Sequence, residues 1–171
     1  ESMRIQGDFQ KAGISYAVLK GISLWPAAVP KPELRSQFDL DFLVAEPDMA
    51  EARGILERSG YRQYAVSGRS AEFKKNERPG VSLKDIYRHF DSYGVELHSA
   101  QRSANATMVL DRVQWRNVDG MAMPVLTPTD LFLGHGMHTF KHVCGEFSRA
   151  AQFVEFRRHV LRYREDERFW R

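Results

Sequence analysis

Apolar residues along the chain recur with two periods, which separate predicted helices from predicted strands. Residues 3–12, 47–59, 127–143 and 146–163 have apolar side chains at helical spacing. Shorter apolar or alternating runs predict strands at residues 14–19, 38–44, 61–66, 71–73, 85–90, 95–99, 113–118 and 121–126. The pattern changes from mixed strands and helices to helices alone after residue 126, which predicts a core at residues 1–126 and a C-terminal helical extension at residues 127–171. The charged end of this extension, residues 162–171, is expected to fray.

Residues 38–44 form a predicted buried strand that nevertheless contains two aspartates. Side chains on a strand alternate between its faces, so Asp39 and Asp41 share one face. Like charges at this spacing raise each other's pKa, and a divalent cation such as Mg²⁺, which prefers oxygen ligands, relieves the repulsion. The alternative is an edge strand with a hydrated polar face, which the apolar flanking residues disfavour.

A glycine and a serine follow the predicted strand 14–19, in the run Lys20-Gly21-Ile22-Ser23. A short helix opening here leaves backbone N–H groups free, which favours an anion such as a triphosphate. Gly21 allows a close approach to the backbone, although a glycine at such a point is usually just a turn. Arg35 offers a planar guanidinium to phosphate, or else forms a surface ion pair.

A second polar face lies on the predicted strand 95–99, which is expected to pair with residues 85–90 across a turn. Glu96 and His98 point to one side of this strand, and Val95 and Leu97 point to the other. If the strand is a neighbour of residues 38–44, three carboxylates can converge.

Three histidines share one side of the predicted helix 127–143. His135, His138 and His142 have the spacing of a transition-metal site. The sequence provides no acidic or thiolate partner nearby, which favours packed or solvent-facing histidines instead.

Composition indicates a globular domain. The chain has 171 residues, 43% hydrophobic and 27% charged, with a net charge of +3. That charge suits a phosphate-bearing partner but is too small to indicate nucleic acid. No apolar run has the length of a membrane span, and the first residues contain no signal region. The single Cys144 excludes an internal disulfide and is compatible with the cytoplasm, where we expect the protein to lie.

The order of these motifs resembles the polymerase-beta-like nucleotidyltransferase superfamily, and within it an uncharacterised bacterial nucleotidyltransferase-like family. The resemblance covers roughly residues 10–100 by motif and rests on the following matches. They are Leu19-Lys20-Gly21, Arg35, Asp39-Leu40-Asp41, Gly60-Tyr61 and Val95-Glu96-Leu97-His98. The resemblance implies an α+β fold, with a mixed β-sheet flanked by helices and a C-terminal helical pair.

The resemblance also implies roles for individual residues. Asp39 and Asp41 would bind Mg²⁺, or alternatively Mn²⁺, and Glu96 would complete a metal site or act as the base. Gly21 and Ser23 would hold the nucleotide phosphates, with Lys20 and Arg35 as further candidates. The proline-containing segment between Gly21 and Asp39 is longer than in many members of the superfamily.

The leading hypothesis is therefore an Mg²⁺-dependent nucleotidyltransferase. It would move a nucleoside monophosphate from an NTP, with ATP expected as the donor, to a hydroxyl of a small molecule or a protein. A second hypothesis is a degenerate module of the same fold that binds nucleotide or a protein partner. A third is a nucleic-acid enzyme, which the low net charge disfavours.

Overall fold

The computed structural model describes residues 1–31, 39–75, 94–100, 109–118, 120–145 and 150–171. They form two compact units, one from Glu1–Val18 and Gln37–Asp111 and the other from Leu19–Ser36 and Arg112–Arg171. The predicted boundary between residues 126 and 127 lies inside the second unit and stays a prediction. Within the described ranges, no helix has the length and apolar character that a membrane crossing needs.

The first unit is a sheet with two helices. In chain order its elements are α1 (Ser2–Lys11), β1 (Tyr16–Leu19, which ends at the unit boundary), β2 (Asp39–Ala45), α2 (Met49–Arg58), β3 (Arg62–Ser67), β4 (Ser70–Lys74) and β5 (Gly94–Ala100). The strand order is β3-β4-β5-β2-β1. β2 and β5 are parallel, whereas β4 is antiparallel to both β3 and β5. The sheet is therefore mixed, which confirms what the family resemblance implied.

An aromatic cluster holds α1 against one face of this sheet. The ring of Phe9 lies 5.3 Å from that of Tyr16 and 5.5 Å from that of Phe42, both in edge-to-face geometry. Phe9 is fully buried, and Phe42 is 1% exposed. Because neighbouring residues on β2 point to opposite faces, burial of Phe42 against α1 directs Asp41 to the other face of the sheet.

The second unit combines a short turn, a hairpin and three helices. A 3₁₀ turn at Gly21–Leu24 is followed by β6 (Gln114–Val118), β7 (Met121–Val125), α3 (Pro128–Val143), α4 (Ala150–Tyr163) and α5 (Glu167–Trp170). β6 and β7 are antiparallel. Thr127 is the N-cap of α3, close to the predicted start of this helix, and its Oγ1 accepts a hydrogen bond from the Asp130 amide at 3.3 Å.

Most predicted elements are confirmed to within a few residues. The strand expected at residues 71–73 extends over Ser70–Lys74. The expected fraying of residues 162–171 is wrong, because the Asp166 carboxylate caps α5 and the ring of Phe169 stacks on that of Tyr163 at 4.0 Å. The strand predicted at residues 85–90 and the helix start at residue 146 lie outside the described residues.

Candidate active site

Two carboxylates meet on the sheet of the first unit. The parallel register places Asp41 of β2 opposite Glu96 of β5. Asp41 is 5% exposed, whereas the Glu96 side chain is about one third exposed, at 30%. A carboxylate at the depth of Asp41 needs a compensating charge or hydrogen bonds. The sequence allowed Asp39, Asp41 and Glu96 to converge if their strands were neighbours; β2 and β5 are neighbours, and Asp41 and Glu96 are register partners.

His98 contacts both carboxylates. It lies on β5 two residues after Glu96 and therefore on the same face of the strand. Its Nε2 is 3.2 Å from Asp41 Oδ1 and 3.4 Å from Glu96 Oε2. A protonated imidazole at this point would form an ion pair with either carboxylate, and a neutral one could donate a hydrogen bond or bind a metal through Nε2.

Asp41, Glu96 and His98 also place their ligand atoms close enough together to bind one metal ion. One ligand atom each from Asp41, Glu96 and His98 can be chosen so that all three lie within 4.8 Å of one another. Among the described residues, they are the one such group of three or more histidine, cysteine or acidic side chains. The group offers two carboxylate oxygens and one imidazole nitrogen, a donor set that accepts divalent cations.

Asp39 lies on the same face of β2 but outside this group. It is exposed, and its register partner on β5 is Gly94, which has no side chain. Asp41 sits one strand repeat further along, about 6–7 Å away, where Glu96 is its partner. The predicted metal ligation by Asp39 stays a prediction.

A third carboxylate extends the row across β4. Glu72 is the register partner of Glu96 on the antiparallel side of β5. Its Oε1 lies 3.1 Å from Lys74 Nζ, so a local ion pair offsets part of its charge. Sequence reasoning missed this residue, because the pairing of β4 with β5 is not visible in a short run such as Ala71-Glu72-Phe73. Carboxylates in such a row repel each other, which adds to the need for a cation at Asp41 and Glu96.

The predicted phosphate-binding turn lies in the second unit. Lys20 and Gly21 both have positive φ, at 53° and 47°. This backbone conformation is rare for a residue with a side chain and is often found at functional sites. Ser23 is fully buried, and its Oγ donates to the Lys20 carbonyl at 2.8 Å. The Ser23 hydroxyl therefore stabilises the turn, and phosphate binding by Gly21, Ser23 and Lys20 stays a prediction.

Arg116 of β6 supports the same turn from within the second unit. Its Nη1 donates to the carbonyl oxygens of Ser23, at 3.0 Å, and Trp25. Burial lowers the pKa of this guanidinium below its usual value. No local pattern indicates this role, because Arg116 and the turn are far apart in the chain. Arg35, the other predicted phosphate-binding arginine, lies outside the described residues.

The histidines of α3 pack and do not form a shared metal site with acidic or thiol groups in the described part of the chain. His135 is 7% exposed, and its Nδ1 lies 3.1 Å from Nδ1 of His159, which is 1% exposed. Burial, together with the positive charge of Arg116, lowers the pKa of His159 to about 4. The rings of His138 and His142 contact each other with centroids 4.4 Å apart. The packed role favoured by the sequence fits the His135–His159 pair.

Solved structures with a similar fold include antibiotic-modifying enzymes. ANT(2'')-Ia in complex with adenylyl-2''-tobramycin matches with a TM-score of 0.67 at 9% identity, over 97% of this chain and 88% of that one. The lincosamide antibiotic adenylyltransferase LnuA, bound to lincomycin, matches with a TM-score of 0.61 at 12% identity, over 91% and 92%. An antigenic nucleotidyltransferase-like protein from Paracoccidioides brasiliensis matches with a TM-score of 0.53 at 14% identity, over 99% and 81%.

These likenesses establish a shared fold, because identities this low show no more than that. No curated protein matches the sequence. A model of the uncharacterised nucleotidyltransferase family, however, matches all of residues 1–171. The chain therefore belongs to the uncharacterised nucleotidyltransferase family.

Proposed function

We propose that the protein transfers a nucleoside monophosphate from an NTP, with ATP as the preferred donor, to a hydroxyl group of an acceptor. The convergence of Asp41 and Glu96 on neighbouring parallel strands carries this proposal. Membership of a nucleotidyltransferase family supports the reaction class. The particular acceptor, donor and metal are part of the proposal.

The residues present fit a divalent cation. Asp41 is buried, Glu96 faces it across the strands, and their oxygens belong to a compact ligand group. We propose Mg²⁺, held by Asp41 and Glu96 with Asp39 as a further ligand. When bound, the cation would neutralise phosphate charge and stabilise the attacking and leaving oxygens.

The chain's other residues would position the two substrates. The acceptor hydroxyl oxygen forms a bond to the α-phosphorus, and the bond from that phosphorus to the pyrophosphate oxygen breaks. The acceptor proton leaves to a carboxylate or to water, and pyrophosphate is released. Gly21 would allow the phosphates to approach the backbone, and Ser23 would keep the turn in shape. Lys20 and Arg35 would offer positive charge to the phosphates.

A small molecule with a free hydroxyl is the acceptor that we propose first. Two of the structurally similar proteins act on or bind antibiotics, tobramycin in one case and lincomycin in the other. A hydroxyl-bearing side chain of a protein is the alternative acceptor. The same transfer reaction would modify either acceptor, and a labelled NTP detects either product.

A transfer assay with ATP labelled on the α-phosphate tests this function. The purified chain, with Mg²⁺, is incubated with tobramycin, lincomycin or no added acceptor. We expect label on a small-molecule acceptor, or on the protein itself, in the wild type and none in Asp41→Asn. The matched control is Glu57→Gln, which removes an exposed carboxylate from α2 and should keep full transfer. Tight binding of Mg²⁺-ATP without transfer to any acceptor would instead favour a binding module.

A further inference from the structure

His98 is the one member of the compact ligand group that is not a carboxylate. Its Nε2 faces both Asp41 Oδ1 and Glu96 Oε2. The His98 side chain is 26% exposed, so the imidazole is partly accessible to solvent. This placement is not required by packing of the aromatic cluster, which lies on the other face of β2.

We propose that His98 is a direct nitrogen ligand of the divalent cation in this site, and that the site consequently prefers Mn²⁺ to Mg²⁺ in the absence of nucleotide. This inference rests on the proposed function only for the use of the cation. The ligation itself is a property of the folded chain and can be tested without any acceptor.

The spacing of the ligand atoms supports direct ligation. In an octahedral site with metal–ligand bonds of about 2.1 Å, adjacent ligand atoms lie about 3.0 Å apart. The two separations from His98 Nε2, 3.2 and 3.4 Å, are close to that edge length. A cation could therefore be bound with small shifts of these three side chains.

The chemical nature of the three ligand atoms determines whether the site prefers Mn²⁺ or Mg²⁺. Mg²⁺ prefers oxygen, keeps several of its waters and is usually held by one or two carboxylates together with substrate phosphates. Imidazole suits transition metals, and Mn²⁺ accepts carboxylate oxygens as well. A site of two carboxylates and one imidazole should therefore bind Mn²⁺ more tightly than Mg²⁺. His98 would thereby determine which cation is held before the nucleotide arrives.

A second role for His98 must be separated from ligation. An imidazole N–H could hold the two carboxylates together through hydrogen bonds and never contact the cation. His98→Gln retains an N–H donor near the position of Nε2 but removes the imidazole nitrogen. A residue that only positions the carboxylates would tolerate this change, whereas a nitrogen ligand would be lost.

Pulsed electron paramagnetic resonance of bound Mn²⁺ provides the direct test. Imidazole ligation produces a nitrogen-14 modulation of the Mn²⁺ echo, which carboxylate and water ligands do not. We expect the modulation in the wild type, its loss in His98→Gln and its retention in His142→Gln. The last variant is the matched control, because it removes a histidine of the second unit and one partner of the His138–His142 contact. Thermal unfolding of His98→Gln checks that the variant remains folded.

Calorimetry gives the second readout. Titration with Mn²⁺ or Mg²⁺ alone should show weaker Mn²⁺ binding by His98→Gln, by about tenfold or more, with a smaller change for Mg²⁺. Bound Mn²⁺ without nitrogen modulation in the wild type would overturn the inference, as would retained modulation in His98→Gln or failure of the wild type to bind Mn²⁺. If Mg²⁺-dependent transfer persists under any of these results, His98 ligation fails while the proposed function stands. Absence of transfer with both cations would count against the proposed function separately.

Discussion

Asp41 and Glu96 stand opposite each other in the parallel register of β2 and β5, although they lie far apart in the sequence. Hydrogen bonding between the strands fixes their backbones, so the two side chains leave the sheet at neighbouring positions on one face. Burial of Phe42 against α1 directs Asp41 to the opposite face of the sheet, where Glu96 of β5 is its neighbour. The fold therefore holds negative charges together at a cost, and a bound cation would offset that cost.

Removal of the Glu96 charge should impair cation binding and transfer without lowering the stability of the fold. We expect Glu96→Gln to weaken cation binding and nucleotidyl transfer by at least about 100-fold. Because the change also relieves repulsion from Asp41 and Glu72, the free energy of unfolding should stay constant or rise by up to about 1 kcal/mol. Calorimetric titration and chemical denaturation measure the two effects. A variant that loses stability along with function would show that Glu96 has a structural role in the sheet.

A side chain at Gly21 should strain the turn. Gly21 has a φ of 47°, so Gly21→Ala places a Cβ in a conformation that costs roughly 1–2 kcal/mol. We expect a higher KM for the NTP, because the strained turn would move the backbone that we propose to face the phosphates. Steady-state kinetics measure the change. Gly7→Ala in α1 is the control, since a Cβ there meets nothing within 4 Å and alanine favours helix. Equal KM values in the two variants would argue against a phosphate role for the turn.

The aromatic cluster should support the site indirectly. Phe42→Ala removes a ring that is 1% exposed and contacts both Phe9 and Tyr16. Loss of a buried phenylalanine ring typically lowers the free energy of unfolding by about 3–5 kcal/mol. For Phe42→Ala we expect a decrease of about 3 kcal/mol or more. Denaturation by urea measures it. Phe153→Ala, at a ring that is 44% exposed on α4, should cost far less. Similar losses in both variants would contradict the assignment of Phe42 to the core.

His159 should make stability depend on acidity. Its folded pKa of about 4 lies below the usual value of 6.5, because it is buried and near the charge of Arg116. As pH falls below 6.5, the unfolded chain takes up a proton before the folded chain does, so stability decreases until about pH 4. The pKa shift of His159 corresponds to a decrease of roughly 3 kcal/mol in the free energy of unfolding between pH 6.5 and pH 4. Above pH 6.5 this histidine does not change the stability.

Chemical denaturation between pH 4 and 7 measures this dependence. His135 on α3 and Tyr163 on α4 face His159 as well, and His135 could share the proton through its 3.1 Å contact. His159→Gln should flatten the profile, whereas His142→Gln, at a half-exposed histidine, should leave it steep. An unchanged slope in His159→Gln would assign the pH dependence to other groups.

The individual elements and the faces of the acidic side chains could be predicted because both depend on local patterns, whereas the α+β fold was implied by the family resemblance. The alternation at residues 38–44 and 95–99 gave the faces of Asp41, Glu96 and His98, and the resemblance supplied their pairing. The strand register was not available, so the separation of Asp39 from the ligand group was unforeseen. Opposite Asp39 the register places Gly94, and nothing in the local sequence of either strand indicates that.

Other features depend on contacts between distant segments. Arg116 reaches carbonyl groups of the Gly21–Leu24 turn, and Glu72 faces Glu96 only because β4 joins the sheet beside β5. At the C-terminus, charge favoured fraying, but Asp166 provides a cap and Phe169 an aromatic partner for Tyr163. In each case a tertiary or capping interaction outweighs the local composition.

In the proposed function, the Asp41 carboxylate holds the cation that nucleotide binding requires. Calorimetric titration of ATP in the presence and absence of Mg²⁺, for the wild type, Asp41→Asn and the control Glu57→Gln, tests it most directly. We expect binding that depends on Mg²⁺ in the wild type and in Glu57→Gln, and loss of that dependence in Asp41→Asn. Equal Mg²⁺-dependent binding by all three proteins would contradict it.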